Sequence, residues 1–127
     1  LLGICVGMQW LYEGSIEAPD CPGLGVVAGR CTKLTGGPDR LKVPHVGWNT
    51  LALPKDSTLL AGLDDHGSVY FTHSYAAPVN HDAVAVTTHG VPFASGVERG
   101  HVFGVQFHPE KSGDVGLRVL KNFIDAL

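Results

Sequence analysis

The chain begins LLGICVGMQWLYE (residues 1–13), an apolar run followed at once by residues that form helices well. Leu1 to Ile4 predict the end of a buried strand, and Met8 to Glu13 predict a helix. Gly3-Ile4-Cys5-Val6-Gly7 lies between them and has the Gly-x-nucleophile-x-Gly form of a sharp strand-to-helix turn. Both glycines are expected to be needed, because such an abrupt turn crowds its neighbours. This stretch therefore predicts an α/β protein that carries Cys5 on the turn.

Cys5 is a candidate nucleophile in this setting. The backbone N–H groups and the positive dipole end of the following helix are expected to favour its thiolate over its thiol. The backbone N–H of Val6 is a candidate donor to the oxyanion of a tetrahedral intermediate. A buried cysteine between two packing glycines would give the same pattern, so the motif alone leaves a purely structural role open.

Phe107-His108-Pro109-Glu110 follows the last predicted strand and supplies a candidate base. Residues i and i+2 of an extended chain project to the same side, so Glu110 is expected to reach the ring of His108 and hold its tautomer. The other ring nitrogen then faces a thiol, as in a Cys-His-Glu triad. A solvated turn with an unimportant His-Glu pair is the alternative for this motif taken alone. The two motifs together, in the order nucleophile then base, favour the triad.

The composition narrows the class of protein. The 127 residues make one domain at most, and 44% hydrophobic residues suffice for a packed core. A net charge of −3 gives no basic surplus for nucleic acid. No apolar run approaches the ~20 residues of a membrane helix and no signal segment is evident, so a cytoplasmic location is expected. The spacings of the cysteines and histidines predict no metal site. Two cysteines, Cys21 and Cys31, are expected to be inert thiols. Four histidines are expected on the surface or in turns: His66, His81, His89 and His101.

The apolar start, with no initiator Met, predicts that residues 1–127 are the C-terminal part of a single larger domain whose first strands are missing. Further along, alternating and β-branched residues predict strands, and apolar residues at helical spacing predict a final amphipathic helix. The predicted strands are 26–34, one within 41–53 around Pro44, 68–75, 83–88 and a hairpin of 92–98 with 101–107 that turns at Arg99-Gly100. The predicted helix is 113–127.

GICVGMQ followed by FHPEKS resembles the class I, triad-type glutamine amidotransferases. The resemblance implies a flavodoxin-like α/β three-layer sandwich with a mixed, mainly parallel sheet. It implies hydrolysis of glutamine through a cysteinyl thioester, with no cofactor and no metal, and transfer of ammonia to a partner active site. Matched by position, the resemblance implies Cys5 as nucleophile, His108 as base and acid, Glu110 as the group that orients it, and Gln9, Glu17, Ser74 and Tyr75 as contacts of glutamine.

KVPHVGWN (residues 42–49) is similar to the KxPHxGWN signature of one branch of this family, which serves imidazole glycerol phosphate synthase in histidine biosynthesis. This resemblance implies a heterodimer with a TIM-barrel cyclase subunit that uses the ammonia to make imidazole glycerol phosphate and an aminoimidazole carboxamide ribonucleotide. The implied interface positions are Pro44, His45, Trp48, Asn49, Tyr70 and Lys111. The indole of Trp48 needs apolar cover and the amide of Asn49 needs hydrogen-bond partners, and an interface supplies both. From the spacing alone, a place for Trp48 in the ordinary hydrophobic core remains an alternative.

Other functions remain open. Another triad amidotransferase would keep the triad but lack PHVGWN, a γ-glutamyl hydrolase would need no docking partner, and a non-catalytic domain would tolerate replacement of Cys5. The family's second oxyanion donor lies in a glycine-rich loop upstream of the turn, a segment that residues 1–127 do not contain. Residues 1–127 alone are therefore expected to fold poorly and to be inactive, and the unpaired strand edge is expected to promote aggregation.

Overall fold

The computed structural model describes all residues, 1–127, as nine strands, two α-helices and one 3₁₀ helix. The strands are β1 (Leu2–Ile4), β2 (Gly14–Ser15), β3 (Arg30–Lys33), β4 (His45–Thr50), β5 (Ser68–His73), β6 (Tyr75–Ala76), β7 (Ala83–His89), β8 (Val91–Arg99) and β9 (Val102–Val105). The helices are α1 (Val6–Gln9), the 3₁₀ helix (Pro109–Lys111) and α2 (Gly113–Asp125). No helix combines the length and the apolar character needed to cross a membrane.

The main sheet has the strand order β1-β9-β8-β7. β1 pairs in parallel with β9, whereas β9 with β8 and β8 with β7 are antiparallel. Two smaller sheets flank it, β2-β3-β6 and the two-stranded β4-β5 ribbon. The predicted α/β class with a mixed sheet is confirmed, but antiparallel pairs outnumber parallel ones among these residues because β7, β8 and β9 are consecutive hairpin strands.

The two α-helices lie on opposite faces of the main sheet. On β9, Phe103 stacks edge to face against Phe123 of α2, while Gly104 lies against Met8 and Leu11 beside α1. Successive residues of a strand point to opposite faces, so this alternation separates two cores. The sandwich of three layers is thus built on β9, the strand that leads directly to His108.

The hairpin of β8 and β9 and the final helix agree with the sequence prediction, and Gly100 supplies the positive φ of 60° at the turn. The helix after Cys5 is shorter than predicted and ends at Gln9 rather than Glu13. The reason is competition for its carbonyl groups, because the loop after it donates Leu24 N–H to Trp10 O (2.8 Å) and further bonds to the next two residues. These bonds replace the ones that would continue the helix.

Three predicted strands are also shorter in the structure. The first is reduced to β3, because the chain bends before Arg30 at Gly29, whose φ is 108°. The second is reduced to β4 and follows a cis Val43–Pro44 peptide bond. The third divides at Ser74, whose carbonyl accepts from Leu34 N–H, so that β5 pairs with β4 and β6 pairs with β3.

Candidate active site

Cys5 occupies a strained backbone position between β1 and α1. Its φ of 56° and ψ of −111° are a conformation that residues other than glycine rarely adopt. Its N–H donates to Val105 O of β9 at 2.8 Å, which fixes the turn to the sheet. A side chain at Gly3 would lie 2.5 Å from Gly7 O, so glycine is required there, whereas a Cβ at Gly7 would meet nothing within 4 Å. The expected need for glycine on both sides of the turn is therefore seen only at Gly3.

Burial raises the pKa of the Cys5 thiol above its ordinary value of 9.0. Hydrogen bonds from the Val6 N–H and the Gln106 amide oppose this rise, and the nearby Glu110 carboxylate adds to it. The predicted preference for the thiolate is therefore not seen, because α1 is a single turn with a weak dipole and desolvation outweighs its N–H groups. A thiol in this state needs a base to become a nucleophile.

His108 and Glu110, the predicted base and its orienting group, contact each other. Nδ1 of His108 lies 2.9 Å from Oε2 of Glu110, and the imidazole is largely covered (21% exposed) while the carboxylate is half exposed. A carboxylate only accepts, so Nδ1 carries the proton and Nε2 of the neutral ring is the free basic nitrogen. The contact follows the sequence expectation, but through a different backbone, since Glu110 lies in the 3₁₀ helix and not in a continuing strand.

The fold brings Cys5 and His108 to the same edge of the molecule. They follow the carboxyl ends of β1 and β9, which are adjacent parallel strands. Both also contact β5: Cys5 Sγ lies 3.8 Å from Thr72 O, and His108 N–H donates to Tyr70 O at 2.9 Å. The predicted nucleophile, base and orienting carboxylate thus come from two neighbouring strand ends.

Gln106 is a site residue that the sequence analysis missed. It is fully buried on the strand-end segment before His108, and its amide nitrogen lies 3.7 Å from Cys5 Sγ. Its carbonyl oxygen accepts from Gln9 Nε2 at 3.0 Å, and Gln9 Nε2 also donates to Tyr75 O at 2.8 Å. The available signal was an amide in an otherwise apolar strand, VFGVQF, because a buried amide must be hydrogen-bonded.

A cavity of about 80 Å³ opens beside α1. Its lining includes Val6, Gln9 and the exposed Glu17, three residues that the sequence analysis assigned to oxyanion or substrate binding. Ser74 and Tyr75 are not in the lining, and their carbonyls are used within the chain, by Leu34 N–H and by Gln9. The structure therefore groups Gln9 with Glu17 and places residues 74–75 behind Gln9.

The β4-β5 ribbon presents an apolar face to solvent. Val46 (57% exposed) and Trp48 (58% exposed) alternate along β4, and Trp48 stacks edge to face on Tyr70 of β5 at 6.0 Å. The ammonium group of Lys111 lies 6.0 Å from the centre of the same tyrosine ring, and Pro44 is exposed at the start of β4. The alternative that Trp48 is ordinary core is therefore wrong.

His45 faces the opposite side of the ribbon. Its side chain is 4% exposed and its Nδ1 lies 2.9 Å from Nε2 of His73, so the prediction that it contacts a partner is corrected. Strand alternation explains this, because His45 is out of phase with Val46 and Trp48. Asn49 shares the inner side and donates to Thr88 O at 3.0 Å, so its amide is satisfied within the chain.

His89 was expected on the surface or in a turn but is partly covered, stacking on His45 with ring centres 4.2 Å apart. Burial lowers the pKa of both His45 and His73 to about 4. For His45 the neighbouring His73 and His89 lower it further. No group of three or more histidine, cysteine or acidic side chains has the arrangement to hold a metal ion.

Comparison with known proteins agrees with this geometry. The family model for glutamine amidotransferase class-I matches residues 1–127. The chain is 54% identical over 125 residues to the imidazole glycerol phosphate synthase subunit HisH of Deinococcus radiodurans, covering 97% of this chain and 58% of that protein. It is 48% identical over 126 residues to the protein of that name from Xanthomonas campestris pv. campestris, covering 98% and 62%. The chain thus spans about three fifths of the length of these curated relatives.

Solved structures show the same architecture. A glutamine amidotransferase crystal structure aligns with a TM-score of 0.66 at 21% identity, over 99% of this chain and 59% of that one. A glutamine amidotransferase from Thermotoga maritima aligns with a TM-score of 0.59 at 25% identity, over 98% and 45%. With its strained Cys5 and the paired His108 and Glu110 on neighbouring strand ends, the chain belongs to the class-I glutamine amidotransferase family.

Proposed function

We propose that residues 1–127 are the C-terminal part of a single amidotransferase domain that hydrolyses glutamine to glutamate and ammonia. The observation that carries the proposal is that the strained Cys5, and a histidine whose Nδ1 is held by Glu110, follow the carboxyl ends of adjacent parallel strands. This is the arrangement of an activated nucleophile, a base and an orienting group. The relatives are named imidazole glycerol phosphate synthase subunit HisH, and this name supports histidine biosynthesis as the pathway.

The chemistry follows from the protonation states. Because burial keeps Cys5 as a thiol, Nε2 of His108 takes the proton as Sγ attacks the side-chain amide carbon. The N–H of Val6 lies beside the sulfur and stabilises the oxyanion of the tetrahedral intermediate. His108 returns the proton to the leaving nitrogen, and ammonia departs from a thioester. Water then loses its proton to Nε2, attacks the thioester and releases glutamate, which restores the thiol.

Recognition of glutamine is assigned to the cavity beside α1. Both hydrogens of the Gln9 amide are used, by Tyr75 O and Gln106 Oε1, so its own oxygen is the group left to accept from a ligand. Glu17 contributes a carboxylate to the same lining. An acceptor and an anion suit the α-ammonium group of an amino acid.

We propose that the partner is a TIM-barrel cyclase subunit, bound as a heterodimer on the outer face of the β4-β5 ribbon. The exposed Trp48 and Val46, beside the partly covered Tyr70, form an aromatic and aliphatic patch with a cation, Lys111, next to it. Such a patch is typical of the central part of an interface. The ribbon also touches the nucleophile, because Thr72 of β5 contacts Cys5 Sγ. A partner docked here would receive ammonia without its passing through bulk water, where it would become ammonium.

The decisive experiment measures ammonia release from glutamine by the full-length gene product, with and without a cyclase subunit that carries its nucleotide ligand. Cys5→Ala is the catalytic control. Strong release in the complex, lost in Cys5→Ala, is the expected result. Equal release without the cyclase would leave the hydrolase and remove the proposed coupling, and no release in either case would refute the proposed reaction.

A further inference from the structure

A continuous line of hydrogen bonds runs through the interior behind the proposed substrate site. Asn49 Nδ2 lies 3.3 Å from His45 Nε2, and His45 Nδ1 lies 2.9 Å from His73 Nε2. His73 Nδ1 lies 2.9 Å from Tyr75 O, the carbonyl that also accepts from Gln9 Nε2 at 2.8 Å. The line therefore joins β4 to the side chain that faces the cavity.

The ends of this line determine the direction of every bond in it. Tyr75 O can only accept, so Nδ1 of His73 carries a proton and, in the neutral ring, its Nε2 accepts. Nδ1 of His45 must then donate to His73, which leaves Nε2 of His45 to accept from the amide of Asn49. Only the neutral Nδ1–H tautomer of both histidines satisfies all three contacts, and a proton added at either Nε2 would face another donor.

These hydrogen bonds restrain the side-chain amide of Gln9. Its amide nitrogen is held by two acceptors, Tyr75 O and Gln106 Oε1, and this fixes where the free amide oxygen points. Tyr75 O lies at a strand of only two residues, β6, so the His73 bond is a main restraint on its direction. The fully buried Gln106 holds the second hydrogen of the amide and links it to Cys5 Sγ.

We propose that His45 and His73 are positioning residues for glutamine recognition, which act through the Tyr75 carbonyl to hold the amide of Gln9. The inference rests on the proposed function for its substrate, but not for its geometry. Neither histidine touches the reacting atoms, and neither was assigned this role by the family resemblance.

The test uses His73→Phe and His73→Asn in the full-length gene product, in complex with the cyclase. Phenylalanine fills the space but removes both bonds, whereas the amide of asparagine can keep the donor to Tyr75 O. His73→Phe is expected to raise KM for glutamine about tenfold, the value of roughly one hydrogen bond, with little change in kcat. His73→Asn is expected to recover most of that loss. His89→Phe is the matched control, because His89 stacks on His45 but takes no part in the hydrogen bonds from Asn49 to Gln9. The KM of this variant for glutamine should stay unchanged.

A second measurement does not depend on activity. Hydrogen exchange of the Gln9 side-chain amide, followed by NMR on labelled protein, should be slow in the wild type and in His73→Asn and at least about tenfold faster in His73→Phe. Unchanged exchange and unchanged KM in His73→Phe would overturn the inference. So would an equal rise in KM for His89→Phe, which would mark a general packing effect. If the wild type releases no ammonia, the proposed function fails, and the exchange rates alone decide the positioning role. If His73→Phe does not fold, His45→Phe takes its place, and its KM and Gln9 exchange rate are compared with those of His73→Asn.

Discussion

Lowering the pH from about 7.5 to about 5 should destabilise the fold through its two buried histidines. Desolvation lowers the pKa of His45 and of His73 from the ordinary 6.5 to about 4. In the unfolded chain both rings bind a proton as the pH falls through 6.5, whereas in the folded chain they stay neutral until about 4. Their stabilisation is therefore complete above pH 6.5 and is lost as the pH falls towards 4.

The size of the effect follows from the same shift. At about pH 5 the unfolded state gains roughly 2 kcal/mol from protonation of one such histidine that the folded state does not gain. The two together give about 4 kcal/mol, a large part of the free energy of unfolding of an ordinary domain. Both side chains are more than nine-tenths covered, so solvent screening reduces this figure little.

The assay is urea denaturation of the full-length gene product, followed by circular dichroism at several pH values between about 7.5 and 5. His73→Asn removes one titrating ring, so its stability should fall by about 2 kcal/mol less than that of the wild type over this range. His101→Ala, at an exposed position, is the control and should keep the wild-type dependence. Identical pH dependence in the wild type and in His73→Asn would refute the account of the buried pair.

Three further predictions concern the turn, the thiol and the ribbon. Gly3→Ala should destabilise the protein by at least about 2 kcal/mol in thermal denaturation, because the new Cβ would lie 2.5 Å from a backbone oxygen. Gly7→Ala, whose Cβ would meet no atom within 4 Å, should cost less than about 1 kcal/mol. Equal losses of stability in the two variants would contradict this. Gln106→Leu should move the midpoint of Cys5 alkylation to higher pH, because the Gln106 hydrogen bond lowers the thiol pKa, and an unchanged midpoint mapped by mass spectrometry would count against that bond. Trp48→Ala should leave the melting temperature within a few degrees of wild type, since the indole is exposed, but weaken cyclase binding at least about tenfold by calorimetry; unaltered affinity would exclude the ribbon as the docking face.

The local motifs could be predicted because each contains its own physical cause. Gly3 and Cys5 between an apolar run and helix formers describe the turn, although the expected need for Gly7 is not seen. The β8-β9 hairpin and the final helix follow from periodicity. The contact between His108 and Glu110 could also be predicted, since the two residues are near neighbours in the chain. The roles of Cys5, His108 and Glu110 in catalysis stay predictions.

What could not be predicted depends on contacts between distant segments. The helix after Cys5 stops early because a loop about 14 residues further on takes the Trp10 carbonyl, and β5 divides because Leu34 bonds to Ser74. The orientation of His45 needed the exact phase of β4, since a shift of one residue exchanges its two faces. Gln106 was missed because a single amide in a strand has no local signal of its hydrogen-bond partners.

Cys21, which lines the same cavity as Gln9 and Glu17, has a practical consequence for chemical probes. It is exposed, whereas Cys5 is partly covered and Cys31 is fully buried with its pKa raised to about 11. A thiol-directed electrophile will therefore meet Cys21 before the two less exposed thiols and, once attached, will occupy the cavity that Gln9 and Glu17 line. Any loss of the proposed activity after labelling is thus no proof that Cys5 was modified unless Cys21→Ser is labelled in parallel. The same position offers an anchor from which small fragments tethered by a disulfide could be selected for the cavity.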